Sequence, residues 1–440
     1  MFETIKNAWK IPDLRKKILY TLGMLVIFRL GSHVPVPFMN ADAIKAMISS
    51  NGGENSLLGF LDTFSGGAFG NATIFAMSIT PYVNASIIMQ LLTVAIPALE
   101  RLSKEGEEGR KVIGQWSRYL TVILGLIQAV GLFFSLAHNP ITNSVTNTTL
   151  KAIPVAGWVE GITIVLTFTA GTAFLMWLGE QINERGIGNG ISLLIFAGIV
   201  SRGPQMVGAL SQYMTAGTLN WFTFGLLIIV ALAVVTLVVA MNSAERRIPV
   251  QYSKRVVGRK VYGGQSTHIP IKVAAAGVLP IIFAMSIMAF PSTLASFFGK
   301  TASNAGWFLG TILKGLSPSS WLYGIMYFFL IIFFTYFYTA IQFNPIEIAN
   351  NMKKNGGFVP GIRPGRTTSD FISKILSRVT LAGAVFLGLI AVLPIFMSQG
   401  AKLNISIGGT SLLIVVGVAL ETVRQMESQM LMRHYKGFLE

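Results

Sequence analysis

The sequence predicts an all-α membrane protein with ten transmembrane helices, and three observations carry that prediction. The first is composition: of 440 residues, 52% are hydrophobic and only 12% are charged, with a mean hydropathy of +0.62. A soluble chain of this length needs far more polar surface, so a polytopic membrane protein is the class that fits. The second is the set of apolar runs long enough to span hydrocarbon, near 18–36, 75–97, 119–137, 155–178, 190–209, 221–242, 273–291, 320–343, 375–398 and 407–425. The third is charge placement: counting Arg202 and Arg424, at the ends of their runs, with the adjoining polar segments, 26 of the 34 Lys and Arg fall in the N-terminal segment, alternate connections and the C-terminal tail, and six in the intervening connections. The positive-inside rule then puts both termini in the cytoplasm.

Each element can be justified in order. Residues 1–17, "MFETIKNAWKIPDLRKK", place Phe2, Ile5 and Trp9 near one helical face with Lys6, Lys10 and Lys16 beside it, which suits a short helix on an anionic lipid surface. The first apolar run is long and lacks a small-residue cleavage site, so it reads as a span rather than a removable signal. Arg29 and Arg378 lie inside spans, and interfacial snorkelling or a helix–helix contact is the preferred reading for a membrane arginine near a span end. "GFLDTFSGGAFGNA", Gly59 to Ala72, is too short and glycine-rich to cross hydrocarbon; it fits a loop or a re-entrant packing segment. "GIGNGIS" reads as a helix start.

Two cytoplasmic loops carry more shape than topogenic charge requires. Residues 243–272 alternate apolar and basic side chains on both sides of Gly258, predicting a β-hairpin with Lys254, Arg255, Arg259 and Lys260 near its tip. Residues 344–374 carry Lys353, Lys354, Arg363 and Arg366, with Pro360, Gly361, Pro364 and Gly365 bracing an exposed turn. A shaped basic tip favours an acidic or phosphate-bearing partner over anionic lipid alone, because arginine binds such groups bidentately.

Several functions are excluded or disfavoured. With no Cys there are no disulfides, thiolate catalysis or Cys-ligated metals, and the four His, at 33, 138, 268 and 434, are too scattered for a metal motif. No cofactor is expected, and no paired carboxylate, nucleophile cluster or Walker glycine loop marks an enzyme. No span carries a central carboxylate or His, which weighs against the alternative of a secondary transporter of a small solute.

"FRLGSHVPVP", "FSGGA", "PYVNASIIMQLL", "FLMWLGEQINERGIGNGISLLIFAGIV", "GQSTHIPIKV", "FNPIEIANNMKKNGGFVPGIRPGRTT" and "GGTSLLIVVGVALET" run almost end to end and in order. Through them the chain resembles the SecY/Sec-type family of protein-conducting channels. The resemblance implies two five-helix halves related by inverted repeat, here 18–209 and 210–440, around an hourglass pore that passes unfolded polypeptides and releases transmembrane segments sideways into lipid. It implies a ring of aliphatic side chains at Ile79, Val83, Ile191, Ile195, Ile282 and Ile414. Branched aliphatics offer no hydrogen bond to ions or water, so a narrow collar of them can gate by dewetting. It implies that residues 57–72 form a plug, with Phe60, Leu61, Phe64, Ser65, Gly66, Gly67 and Phe69 beneath that ring, and that Asn84, Gln90 and Phe290 belong to a lateral gate. The implied partners are SecE and SecG subunits, the SecA motor ATPase or a translating ribosome at the two basic loops, secretory preproteins, nascent membrane proteins and anionic lipid.

Overall fold

In hydrocarbon a spanning backbone must satisfy its own N–H and C=O groups, which leaves helices as the solution for a chain patterned like this one. The computed structural model describes residues 2–50, 59, 62, 65–138, 141–142, 149–154, 157–215, 221–252, 255–257, 260–262, 266–274, 276–297, 315, 320–401 and 409–436. A helix occupies each of the ten apolar segments. They are α2 (Pro12–Gly31), α4 (Thr80–Ala95), α6 (Glu107–His138), α7 (Trp158–Arg185), α8 (Gly190–Ser201) continuing into α9 (Gly203–Thr215), α10 (Trp221–Ser243), α11 (Leu279–Phe297), α12 (Trp321–Gln342), α14 (Arg366–Ala401) and α15 (Gly409–Lys436). Shorter helices are α1 (Phe2–Lys10), α3 (Ala41–Ser50), α5 (Pro97–Lys104) and α13 (Pro345–Lys354). Among the described residues five helices, lying in α6, α7, α10, α12 and α14, are long and apolar enough to cross a membrane, or six if α4 and α5, bent by 100° at Ile96, count as one span. Pro97 explains the bend, since it disfavours a helical residue before it, and Ile96 is extended.

Three boundaries differ from the sequence reading for local reasons. The second apolar run begins as a series of turns, and its helix starts only at Thr80, with Pro81 in the first turn. The fifth run breaks at Arg202, where α8 ends and Gly203 opens α9. The N-terminal helix forms as predicted, yet it is docked on α15: Ala8 is fully buried in a cluster with Leu14, Ile187 and Met426, and Thr4 Oγ1 donates to Glu427 Oε1 at 3.0 Å. "GIGNGIS" is the helix start expected, with Asn189 Oδ1 accepting from the Ile191 and Ser192 amides as an N-cap.

The predicted hairpin is present. β3 (Glu245–Tyr252) pairs antiparallel with β6 (Ser266–Lys272) in a register that sets Ile248 opposite Ile269, and β4 (Arg255–Val257) pairs with β5 (Lys260–Tyr262) farther out. Gly258 lies outside the described residues. What the sequence did not reveal is that the second basic loop, 344–374, joins the same sheet: β7 (Gly357–Phe358) pairs with the far end of β3, giving the order β6-β3-β7. Val250, Ile248, Ile271, Met352, Val359 and Ile372 form a small core beneath it, so the two loops are one packed unit. β1 (Ile141–Thr142) and β2 (Thr149–Leu150) form a two-stranded ribbon between α6 and α7.

The main core runs through the middle of the bundle, where side chains from α2, α4, α7, α8, α10, α11, α12, α14 and α15 meet. A second cluster gathers α3, part of the segment before α4, and the facing ends of α6 and α7. Helices α7 and α8 approach so closely that a Cβ on Gly190 would penetrate the Gly179 carbonyl oxygen. Gly190→Ala is therefore expected to cost about 2 kcal/mol through overpacking. In a thermal-unfolding scan of the purified chain, Gly190→Ala should lower the midpoint and Gly208→Ala, which meets open space, should not; equal midpoints would contradict the close approach. Val250 is 1% exposed, and Val250→Asp should separate the two loops by stranding a charge, at a cost of about 3 kcal/mol or more. Faster tryptic cleavage within 243–272 is the expected readout, and an unchanged rate would contradict the shared core.

Candidate pore and plug

The family resemblance implies six aliphatic side chains for the ring, and four elements carry them. Ile79 is the residue before the first turn of α4, and the Val83 amide donates to its carbonyl at 3.0 Å, so the two side chains stack one turn apart. Ile191 and Ile195 hold the same spacing on α8. Ile282 lies in the first turn of α11 and Ile414 near the start of α15. All six meet in the central cluster: Ile79, Val83, Ile195, Ile282 and Ile414 are buried, and Ile191 is half-buried against them. α4 packs on α11 and α8 on α15, while Gly417 of α15 lets that helix close onto Val278 just ahead of α11. Small, branched and unable to hydrogen-bond, these groups can exclude water and ions from a constriction without specifying what passes.

Beside them sits the irregular segment that precedes α4. Phe60, Leu61 and Phe64 lie outside the described residues; Asp62, Ser65, Gly66, Gly67 and Phe69 are described, and Phe69 is 1% exposed. Ala68 and Phe75 join the central cluster, and the Phe75 ring stacks on Phe28 of α2 and Phe174 of α7 at 6.0 Å each. The remaining backbone is tied by polar contacts. Gly67 N donates to the Asp62 carbonyl at 2.8 Å, Phe69 N to Ser65 Oγ at 3.0 Å, and Gly70 N to Asp62 Oδ1 at 2.7 Å. Gly66, at φ +68°, presses against the last turn of α8, where a Cβ would lie 2.8 Å from Gly198 Cα. That position requires glycine on both conformational and steric grounds.

Two arginines, both tied to the end of α8, hold this segment. Arg29 Nη1 on α2 donates to the Gly66 carbonyl at 3.1 Å and to Ser201 Oγ of α8 at 3.2 Å, which is the helix–helix contact of the two expected readings. Arg202, at the α8–α9 break, pairs through Nη1 with Asp62 Oδ2 at 3.2 Å, and the two side chains are only 12% and 9% exposed. Sequence reasoning missed Asp62, Ser201 and Arg202. The available signal was a pair of opposite charges isolated in otherwise apolar or glycine-rich outer segments.

The remaining marked residues are more dispersed. Asn84 and Gln90 are half-buried on α4, and α11 packs against both α4 and α6 across the expected seam. Gln90 Oε1 is buried with no hydrogen-bond partner among the described residues. Phe290 belongs to α11, with its side chain outside the described set. Of the docking residues, Lys254 and Arg259 lie outside the described residues, while Arg255 and Lys260 fall on β4 and β5 at the far end of the hairpin. Lys353, Lys354, Arg363 and Arg366 are exposed. Thr368 Oγ1 donates to the Arg363 carbonyl at 2.8 Å, and Gly361 and Gly365 adopt positive φ, which fixes the turn that displays Arg363. Among the described residues no His, Asp and Glu group could hold a metal ion.

Comparison with known proteins agrees with this arrangement. A family model described as SecY matches residues 73–423. Relatives named protein translocase subunit SecY include those of Streptomyces scabiei, 47% identical, and Bacillus subtilis, 45% identical, each covering all of both chains. Solved structures with the same fold include a protein-conducting channel, with a TM-score of 0.63 at 20% identity over 94% of this chain and 92% of that one. Another is a SecY studied for its plug domain, with a TM-score of 0.65 at 19% identity over the same shares. With matches of this length and identity, the chain belongs to the SecY family and is a multi-pass membrane protein.

Proposed function

We propose that this chain is the pore-forming subunit of the general secretory translocase, conducting unfolded polypeptides across the cell membrane and releasing transmembrane segments sideways into lipid. The observation that carries the reading is the convergence of six branched aliphatic residues from four separate elements into one cluster, with an irregular, glycine-rich segment seated beside it. In this reading Ile79, Val83, Ile191, Ile195, Ile282 and Ile414 form the gasket, residues 57–72 the plug, and the α4/α6–α11/α12 seam the lateral gate. Its two halves are 18–209 and 210–440, and both termini face the cytoplasm, where the basic loops lie. A solved SecY is described as one whose plug domain stabilises the closed channel and maintains a membrane seal, which supports assigning that role to the corresponding segment here.

The chain itself carries out no bond chemistry; energy comes from a partner. Lys353, Lys354, Arg363 and Arg366 are exposed on the loop that supplies β7, and Arg255 and Lys260 fall on the separate β4–β5 pair farther out on the hairpin; a basic set of this kind suits a large acidic or phosphate-rich surface. A SecA-type motor and a translating ribosome both fit, and a related Sec61 is solved in a canine ribosome–channel complex. SecE- and SecG-type helices complete the membrane assembly.

Polarising the gasket should open a resting leak. Ile282→Asn with Ile414→Asn is expected to raise ion flux through membrane vesicles roughly tenfold, because a wetted constriction loses its dewetting barrier; flux at the parent level would remove the gasket assignment. Arg363→Glu should abolish motor-driven export of a secretory precursor while the chain still accumulates in the membrane. Normal export by that variant would remove the docking assignment.

A further inference from the structure

The polar ties around the plug segment differ in kind from the packing that holds the rest of the bundle. Asp62 uses both carboxylate oxygens: Oδ1 accepts from Gly70 N at 2.7 Å within the segment, and Oδ2 meets Arg202 Nη1 at 3.2 Å outside it. Arg202 belongs to the break between α8 and α9, the helix whose other end carries Ile191 and Ile195. The carboxylate therefore links the fold of the segment to the wall that carries part of the aliphatic cluster. A buried ion pair is a poor way to gain stability, since an apolar pair of similar size often serves better. It is a good way to make one arrangement specific and reversible, because each charge regains hydration once the pair separates into water.

We propose that Asp62 and Arg202 form an ionic latch that seats the plug and thereby sets how strong a signal sequence must be to open the channel. The inference rests on the plug reading above. Arg29 acts beside the latch as a backbone clasp, holding Gly66 against Ser201. The segment's strained turns, with Ala72 at φ +50° and Ser78 at φ +55°, give the released state a conformational gain that the latch opposes.

The test uses the full chain in cells and in vesicles made from them, with ion leak and export of a precursor with a defective signal sequence as readouts, each normalised to the chain present in the membrane. Asp62→Asn keeps an acceptor for Gly70 and removes only the charge. It and Arg202→Gln are each expected to raise both readouts about tenfold, the scale of one charge-assisted contact. The Asp62→Asn/Arg202→Gln double variant should match a single variant rather than multiply the two effects. Arg202→Lys, which keeps the charge and the fold, should stay near the parent. Deleting residues 60–70 should raise leak regardless of the latch. Leak from the deletion with parent-like single variants, or with singles whose effects multiply, would overturn the latch alone. A deletion that leaves leak and selectivity unchanged would overturn the plug reading and the latch with it.

Discussion

The constraint on which the rest of the structure depends is that irregular backbone within a membrane protein must be satisfied by the protein itself. Residues 65–79 are a run of turns flanked by helices, and they persist because side chains supply what a helix would supply internally. Asp62, Ser65 and Arg29 account for the Gly70, Phe69 and Gly66 backbone groups, and Val36 N and Ile74 N bond across to Ala72 and Val34 carbonyls. The helices close onto this scaffold through glycines, such as Gly171 of α7 against the Ile74 carbonyl and Gly31 of α2 against the Phe75 ring. Among the described residues the segment is thus an irregular run whose backbone depends on named polar contacts. Its apolar side chains are packed as well, Ala68 and Phe75 in the central cluster and Phe69, Ala72 and Ala76 in the second, so the polar contacts fix the backbone while burial holds the side chains.

A second constraint lies in the two basic loops. Because β7 pairs with β3 and both loops share one apolar core, the connection between α10 and α11 and the connection between α12 and α14 form one packed unit rather than two independent loops. The aliphatic cluster differs in kind: its side chains form no hydrogen bonds, so it is held by apolar packing alone.

Much of this was legible in the sequence, and the reasons are physical. Long apolar runs have one stable solution in hydrocarbon, so the ten helical segments were visible; the alternating pattern on either side of Gly258 has period two, so the hairpin was visible as well. The β7–β3 pairing was not, because a two-residue strand has no periodicity and its partner lies about a hundred residues away. The break at Arg202 and the late start at Thr80 escaped because hydropathy is blind to the backbone geometry that a buried charge pair and a proline impose. The six residues proposed as the gasket could be named only by resemblance, since isoleucine and valine in a membrane helix look the same whether they line a pore or fill a core. Asp62 and Arg202 show the converse: ordinary as loop charges in sequence, they become informative once found 140 residues apart and buried together.

The central claim is that the aliphatic cluster is a conduit for polypeptide. The most direct measurement stalls a secretory chain in the membrane with photo-crosslinking probes at Ile79 and Ile282 of this protein and maps which positions of the stalled chain are captured. The account predicts capture by both probes of one short, mid-chain stretch that shifts with the length of the stalled precursor. Absence of capture at both positions, together with uptake of a small solute by the same vesicles, would contradict it.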